Sequence, residues 1–286
     1  MPIQWYPGHM TTARRLLAES IPKQDVVIEV LDARMPEASA NPAFTELRKQ
    51  KPCVKVLAKS DLADAAVTEA WLRHFESADS GGKVVAMAST LQHAGATRAR
   101  LLEVCRRIVN RPSGSGKTVR VIVVGIPNVG KSTLINTLTG RKVAKVGDKP
   151  AVTKAAQQVV LEGGVVLSDN PGILWPKIDD ETVSLRLALG GALPDTAIDY
   201  ETLGFFAADL FLRRYASLVV ARYGIEGVPS TPEALLEAIG RRRGCIRSGG
   251  KVDLHKASDI LVHEFRAGSL GRITLDEAPA PPLVSS

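Results

Sequence analysis

The stretch Val121-Ile122-Val123-Val124-Gly125-Ile126-Pro127-Asn128-Val129-Gly130-Lys131-Ser132 constrains the fold more than any other. A short β-branched run enters Gly-x-x-x-x-Gly-Lys-Ser, and Leu134, Ile135 and Leu138 then recur at helical spacing. Strand, glycine-rich turn and helix in that order form a phosphate cradle: the glycines let successive N–H groups and the helix N-terminus face one anion. The pattern predicts an α/β fold with a parallel-type sheet flanked by helices, and a nucleoside triphosphate as ligand. Lys131 would reach the outer phosphates, with Asn128, Val129, Gly130 and Thr133 around them. The Ser132 hydroxyl would hold Mg²⁺. A second candidate, Gly114-Ser-Gly-Lys-Thr118, has Arg111 where its first glycine should stand and a strand after it, so it reads as a flexible connection.

The other loops with chemistry in them fall at the ends of further strand patterns. Asp25 to Leu31 is a buried parallel-type strand ending in Asp32-Ala-Arg34-Met-Pro36, on the side where parallel sheets bind ligands. The alternative reading of Asp32 and Arg34 is a surface ion pair contributing little. A strand from Pro52 runs into Lys59-Ser-Asp61, and a helix from Ala65 to Phe75 follows. Lys-x-Asp is a weak signal for guanine recognition, in which the carboxylate accepts from the base edge and the lysine stem covers the ring. A third strand, Lys83 to Met87, leads into Ala88-Ser89-Thr90, and a basic helix covers about 97–109. Beyond the phosphate cradle, a basic loop carries Thr153, placed to reach Mg²⁺. Two strands joined through Glu162-Gly-Gly164 predict a hairpin. The second of them ends in Asp169-Asn-Pro-Gly172, where Asp169 would act on Mg²⁺ and the Gly172 N–H could sense a γ-phosphate.

Charge and composition narrow the surroundings. The net charge of +7 in 286 residues favours a polyanionic partner. No apolar run approaches the roughly 20 residues that span a bilayer, and the first residues lack a secretory pattern. Three separated cysteines, Cys53, Cys105 and Cys245, predict reduced thiols without zinc. The expectation is a cytoplasmic monomer without membrane contact. Near the start, Trp5-Tyr-Pro-Gly-His9-Met10 precedes a helix that Thr11 or Thr12 could cap. His9 reads either as a surface residue beside stapling aromatics or as a group reaching the nucleotide. From Asp199 to about Ile273 the apolar residues recur at helical spacing, predicting a small all-α domain. Over residues 204–272, eleven Lys and Arg face seven Asp and Glu. The arginine-rich, glycine-flanked turn with Arg241, Arg242, Arg243, Arg247 and Lys251 therefore suits the phosphate backbone of folded RNA.

Together these motifs closely resemble the bacterial ribosome biogenesis GTPase A family, whose guanine-reading loop precedes the P-loop in a circularly permuted order. The resemblance runs nearly the whole chain. It rests on Trp-Tyr-Pro-Gly-His-Met at 5–10, Asp-Ala-Arg-Met-Pro at 32–36, Gly-Ile-Pro-Asn-Val-Gly-Lys-Ser at 125–132 and Asp-Asn-Pro-Gly-Ile-Leu-Trp-Pro-Lys at 169–177. Gly-Arg-Arg-Arg-Gly-Cys at 240–245, Gly-Gly-Lys-Val-Asp-Leu at 249–254 and Glu-Phe-Arg-Ala-Gly at 264–268 add to it. It implies GTP hydrolysis to GDP coupled to late maturation of the large ribosomal subunit, with rRNA as the main contact. The expected organisation is an N-terminal segment (1–22), a circularly permuted P-loop GTPase domain (23–178), a linker (179–198), a helical RNA-binding domain (199–275) and a disordered tail (276–286).

Five positions depart from the expected pattern. Ala58 stands where the guanine motif usually has asparagine, a loss of about 1 kcal/mol if one hydrogen bond goes, with Asp61 keeping guanine preference. Ala88-Ser89 replaces Ser-Ala, Ala151 replaces a glycine, and Ile173 stands where Ras-like enzymes carry the water-orienting glutamine. Intrinsic turnover should then be slow. Either His9, as the resemblance suggests, or a K⁺ ion at Asn128 could supply what Ile173 lacks. Two rivals remain open: a P-loop kinase, and an RNA-binding scaffold with a degenerate nucleotide site.

Overall fold

The computed structural model describes residues 8–78, 83–90, 93–111, 114–141, 158–169, 174, 178 and 180–279, the side chains of His9 and Asp169 excepted. Helix α1 (Gly8–Ser20) leads to strand β1 (Val26–Asp32), then α2 (Pro42–Arg48), β2 (Cys53–Ala58), α3 (Ala65–Ser77), β3 (Val84–Ala88) and α4 (Ala94–Ile108). The phosphate-cradle strand β4 (Val119–Val124) precedes α5 (Lys131–Thr139), and β5 (Gln158–Leu161) and β6 (Val165–Asp169) follow. The helical remainder is α6 (Glu181–Leu189), α7 (Tyr200–Tyr223), α8 (Pro232–Arg242) and α9 (Leu254–Arg266).

The strands form one sheet in the order β3-β2-β1-β4-β6-β5, parallel except where β5 runs antiparallel to β6 through the expected hairpin. Alternation along β1 divides the helices. Val27 packs with Ala13 and Leu17 of α1 and Phe44 of α2, and Leu31 packs with Trp71 of α3. Ile28 and Val30 face the opposite way, into the core holding Leu101 of α4 and Leu134 of α5. The chain steps outward from β1 to β3 and then returns to β4 on β1's other flank. The order of strands therefore reverses between β1 and β4, and a crevice opens beyond their carboxyl ends.

Three expectations need correction. Helix α1 is already running at Gly8, so Thr11 and Thr12 lie inside it. Met10, Ala13 and Leu17 form its buried stripe, and packing of that stripe overrides the local capping signal. The supposed linker 179–198 contains α6, capped by the Asp180 carboxylate and burying Leu187, Ala188 and Leu189 completely. The segment expected to be a disordered tail begins with a buried residue: Asp276 accepts the backbone N–H groups of Glu37 and Ala38, at 2.7 and 3.0 Å. Residues 280–286 lie outside the described residues.

The helical part is knit by α7. Its N-cap Asp199 accepts from Glu201, and Gly224 ends it in the left-handed conformation. Helix α9 crosses it so closely that a Cβ at Gly204 would lie 2.2 Å from the Ser258 Cβ. Leu203, Phe211, Leu235 and Phe265 of this part share one continuous core with Val121 and Leu134 of the sheet part.

Candidate nucleotide site

At the β1–β4 crevice the backbone itself requires the two glycines of the cradle. A Cβ on Gly125 would fall 2.7 Å from the Val30 carbonyl, so only glycine lets the turn start against β1. Gly130 has φ 110°, and its Cβ would meet the Ala58 Cβ at 3.3 Å. Asn128 between them is also left-handed, at φ 57°, a conformation asparagine adopts more readily than most residues. Lys131 opens α5, is almost buried, and lays its ammonium 2.7 Å from the Ile126 carbonyl.

Beside this loop lies a cavity of about 180 Å³ lined by Ala58, Lys59, Asp61, Leu62, Ser89, Thr90, Gly130, Thr133, Leu134 and Thr137. Lys59 and Asp61 therefore meet Gly130 and Thr133 around one space although some 70 residues separate them in the chain. Val129 is buried behind it. Ser89 lines the cavity and also holds it in shape: its N–H donates to the Leu57 carbonyl at 2.9 Å, and its carbonyl accepts from the Ser60 hydroxyl at 3.1 Å. It clamps the β2 and β3 loops together. Ala88 pairs with Leu57 inside the sheet and does not line the cavity, whereas Thr90, which the motif comparison passed over, does. Leu62 and Thr137 were equally silent in the sequence, since nothing in a leucine or a helix threonine marks a cavity wall.

Asp32 and Arg34 lie at the ligand side of the sheet, as expected, and the alternative of a surface pair fails. They are not a surface pair: their side chains are 0% and 2% exposed. The guanidinium donates to both carboxylate oxygens, at 3.0 and 2.8 Å, and lies over the Phe265 ring of α9, 5.0 Å from its centroid. The same carboxylate accepts from Lys59 Nζ at 2.8 Å, and Lys59 also donates to the Asn128 carbonyl at 2.9 Å. Burial alone would push the Asp32 carboxyl up. The charges of Arg34 and Lys59 outweigh burial and hold it well below the usual carboxylate range, so it is ionised at neutral pH.

Of the groups expected at the metal and γ-phosphate, Ser132 lies in the first turn of α5, and Asp169 closes β6 in register with Val123 of β4. A hydroxyl at the start of α5 and a carboxylate residue at the end of β6 are hard oxygen donors of the kind Mg²⁺ takes, so the residues fit that ion. Thr153, Gly172, Ala151 and Ile173 lie outside the described residues, as do the side chains of His9 and Asp169. The Asn128 side-chain amide donates to the Gly191 carbonyl at 2.9 Å, so any K⁺ coordination there would fall to its Oδ1.

The arginine-rich turn is exposed throughout but partly self-neutralised. Arg243 pairs with Glu264 at 2.7 Å, Arg247 with Asp253 at 2.8 Å and Arg241 with Glu237 at 3.8 Å. Arg242 and Lys251 are exposed, at the end of α8 and in the small loop closed by the Ile246–Val252 bridge. No helix among the described residues is long and apolar enough to cross a membrane.

Residues 120–193 match the family described as 50S ribosome-binding GTPase. The whole chain is similar to the ribosome biogenesis GTPase A of Bacillus cereus, 38% identical over 283 residues, covering 96% of this chain and 94% of that one. The mouse mitochondrial ribosome-associated GTPase 1 is 30% identical over 298 residues, covering 97% of this chain and 91% of its own. The crystal structure of GNP-bound YlqF from T. maritima superposes with a TM-score of 0.64 at 27% identity, over 94% of this chain and all of that one. Likeness of this degree from end to end, on a sheet that opens its crevice at the phosphate cradle, makes the chain a GTP-hydrolysing member of the ribosome biogenesis GTPase A family.

Proposed function

We propose that the chain binds the maturing large ribosomal subunit through rRNA and hydrolyses GTP to GDP as a late-assembly switch. The guanine base takes the cavity walled by Lys59, Asp61, Ser89 and Thr90, and the phosphates follow the backbone from Asn128 to Thr133. Ser132, Asp169 and Thr153 would hold Mg²⁺, which would neutralise charge developing on the phosphate oxygens. The Gly172 N–H reads the γ-phosphate. Because Ile173 offers no polar atom to the attacking water, His9 or a K⁺ ion at Asn128 supplies that help on the ribosomal particle.

One observation carries the reading: a guanine-type Lys-x-Asp and a P-loop line a common cavity despite their reversed order along the chain. That accords with a circularly permuted GTPase, in which the site depends on where strands end and not on their sequence. The names of the relatives and of the matching family favour the large subunit as the particle, and the exposed Arg242 and Lys251 suit an rRNA backbone. Titrating GTP, GDP and ATP with and without purified large subunits, in K⁺ and in Na⁺, tests it. GTP turnover should rise on the particle, and His9→Ala should blunt the rise with GTP affinity nearly intact. Equal affinity for ATP, or turnover indifferent to the particle, would overturn the proposal.

A further inference from the structure

Lys59 is held in an unusual way. Its backbone is left-handed at φ 57°, a strained conformation for lysine that persists only where the surroundings determine it. Among its determinants are the turn in which Leu62 N–H donates to its carbonyl, the Asn128 carbonyl, and the Asp32 carboxylate. Ala58, next to it, has only a methyl group and can donate no hydrogen bond to the phosphate loop. The space above that methyl is taken by Gly130, whose own Cβ would sit 3.3 Å away. Ala58 therefore offers the phosphate loop no side-chain hydrogen bond, while Lys59 joins β1, β2 and the phosphate loop.

Asp32 is built for this. It lies at the end of β1, directly across from Ala58 in the β1–β2 ladder, and the Ala33 N–H donates to the Ala58 carbonyl at 2.8 Å. Its Oδ1 takes the Arg34 N–H and Nε, and its Oδ2 is shared between Arg34 and Lys59. Its backbone N–H donates to the Ser39 hydroxyl at 3.0 Å. A fully buried acid with every bond directed leaves the Lys59 ammonium one place to go, and its aliphatic stem must then run along the cavity wall.

We propose that Asp32 is a positioning residue for nucleotide binding, which pins the Lys59 ammonium against the Asn128 carbonyl so that the lysine stem forms a fixed wall of the base site in place of the brace Ala58 cannot make. The proposal rests on the cavity being the base site, and acts on affinity, not on the bond-breaking step. Arg34 serves it indirectly by holding Asp32, and itself leans on Phe265 and donates at 3.4 Å to the carbonyls of Gly190 and Arg266.

The test is a double-mutant cycle read with GDP carrying a fluorescent N-methylanthraniloyl group. Asp32→Asn and Lys59→Met should each weaken binding roughly tenfold, the scale of one hydrogen bond to a charged group. The double variant should bind no worse than the weaker single, because both changes remove the same wall. Saturated GTP turnover should stay within about twofold while KM rises, the signature of lost uniform binding. Unchanged affinity in Asp32→Asn, or losses that multiply in the double variant, would overturn the proposal and leave the base site standing. Unchanged affinity in Lys59→Met would overturn the base site itself. Asp32→Asn strands the Arg34 charge in the interior, so the cycle is repeated in Asp32→Asn/Arg34→Met, which removes both charges and restores a neutral core.

Discussion

At the scale of single residues, the site is governed by what cannot fit. Gly130 shows it best: φ 110° is strained for any other residue, and the Ala58 methyl leaves an added Cβ only 3.3 Å. Gly130→Ala adds strain of about 1–3 kcal/mol in the phosphate loop, to be relieved only by moving the loop or β2. Calorimetry should find GTP affinity reduced roughly tenfold or more, the equivalent of that strain, with the melting temperature of the nucleotide-free protein little changed. Wild-type affinity in the variant would mean that the loop rearranges on binding. The glycines and Lys131 were legible because backbone geometry and charge dictate those residue types wherever a chain wraps phosphate. Asp32 and Arg34 were not, because the same two letters describe an exposed pair worth little or a buried pair that fixes a loop. Partners far along the chain decide between them, among them Phe265 and Arg266, more than 230 residues away.

Among elements, the strands could be read from the sequence because each is a short β-branched run between turn signals, and the hairpin because Gly163 and Gly164 take positive φ. Helix α6 was hidden: nine residues between glycines and prolines carry too little periodicity, and its burial comes from α7 and α9. The loop after β1 and the segment after α9 meet in another unforeseen contact, at Asp276. Burial pushes this carboxyl up to about 6, against two backbone N–H donors and Arg186 at 3.1 Å, which lower it, and Glu37, which raises it. Since the folded state holds this proton more tightly than the unfolded chain, with its ordinary value near 3.9, the group's stabilising contribution is complete below about pH 4. It fades as pH rises and is gone above about pH 6. Asp276→Asn fixes the neutral form at every pH. Thermal melts should therefore show the variant gaining on the wild type between pH 4.5 and pH 7, and a difference constant with pH would refute the assignment.

Over the whole molecule, the question is whether sheet part and helical part are one cooperative unit. The core is continuous between them, and polar contacts cross at several places, among them Arg34 with the Gly190 and Arg266 carbonyls and Asp276 with the Glu37 and Ala38 N–H groups. Arg266 of α9 donates to the Ala188 and Leu189 carbonyls at the end of α6, at 2.9 and 3.3 Å, and pairs with Asp195 at 3.0 Å. Two residues further on, the Gly191 carbonyl receives the Asn128 amide of the phosphate loop. The end of α6 thus stands between the nucleotide and α9. The wild type should unfold in one transition, because neither part buries its share of the core alone. Arg266→Ala takes a donor from two helix-end carbonyls, of which that of Ala188 keeps the Gly191 N–H, and removes an ion pair, a loss of about 1–3 kcal/mol. That loss falls where α9 meets the end of α6, next to the contacts that Gly190 and Gly191 make with the sheet part. Calorimetric scans of the variant should resolve two transitions, of which GDP raises only the one belonging to the sheet part, whereas GDP raises the single wild-type transition as a whole. A variant that still melts in one step, shifted as a unit by GDP, would place the coupling in the apolar core and not in Arg266.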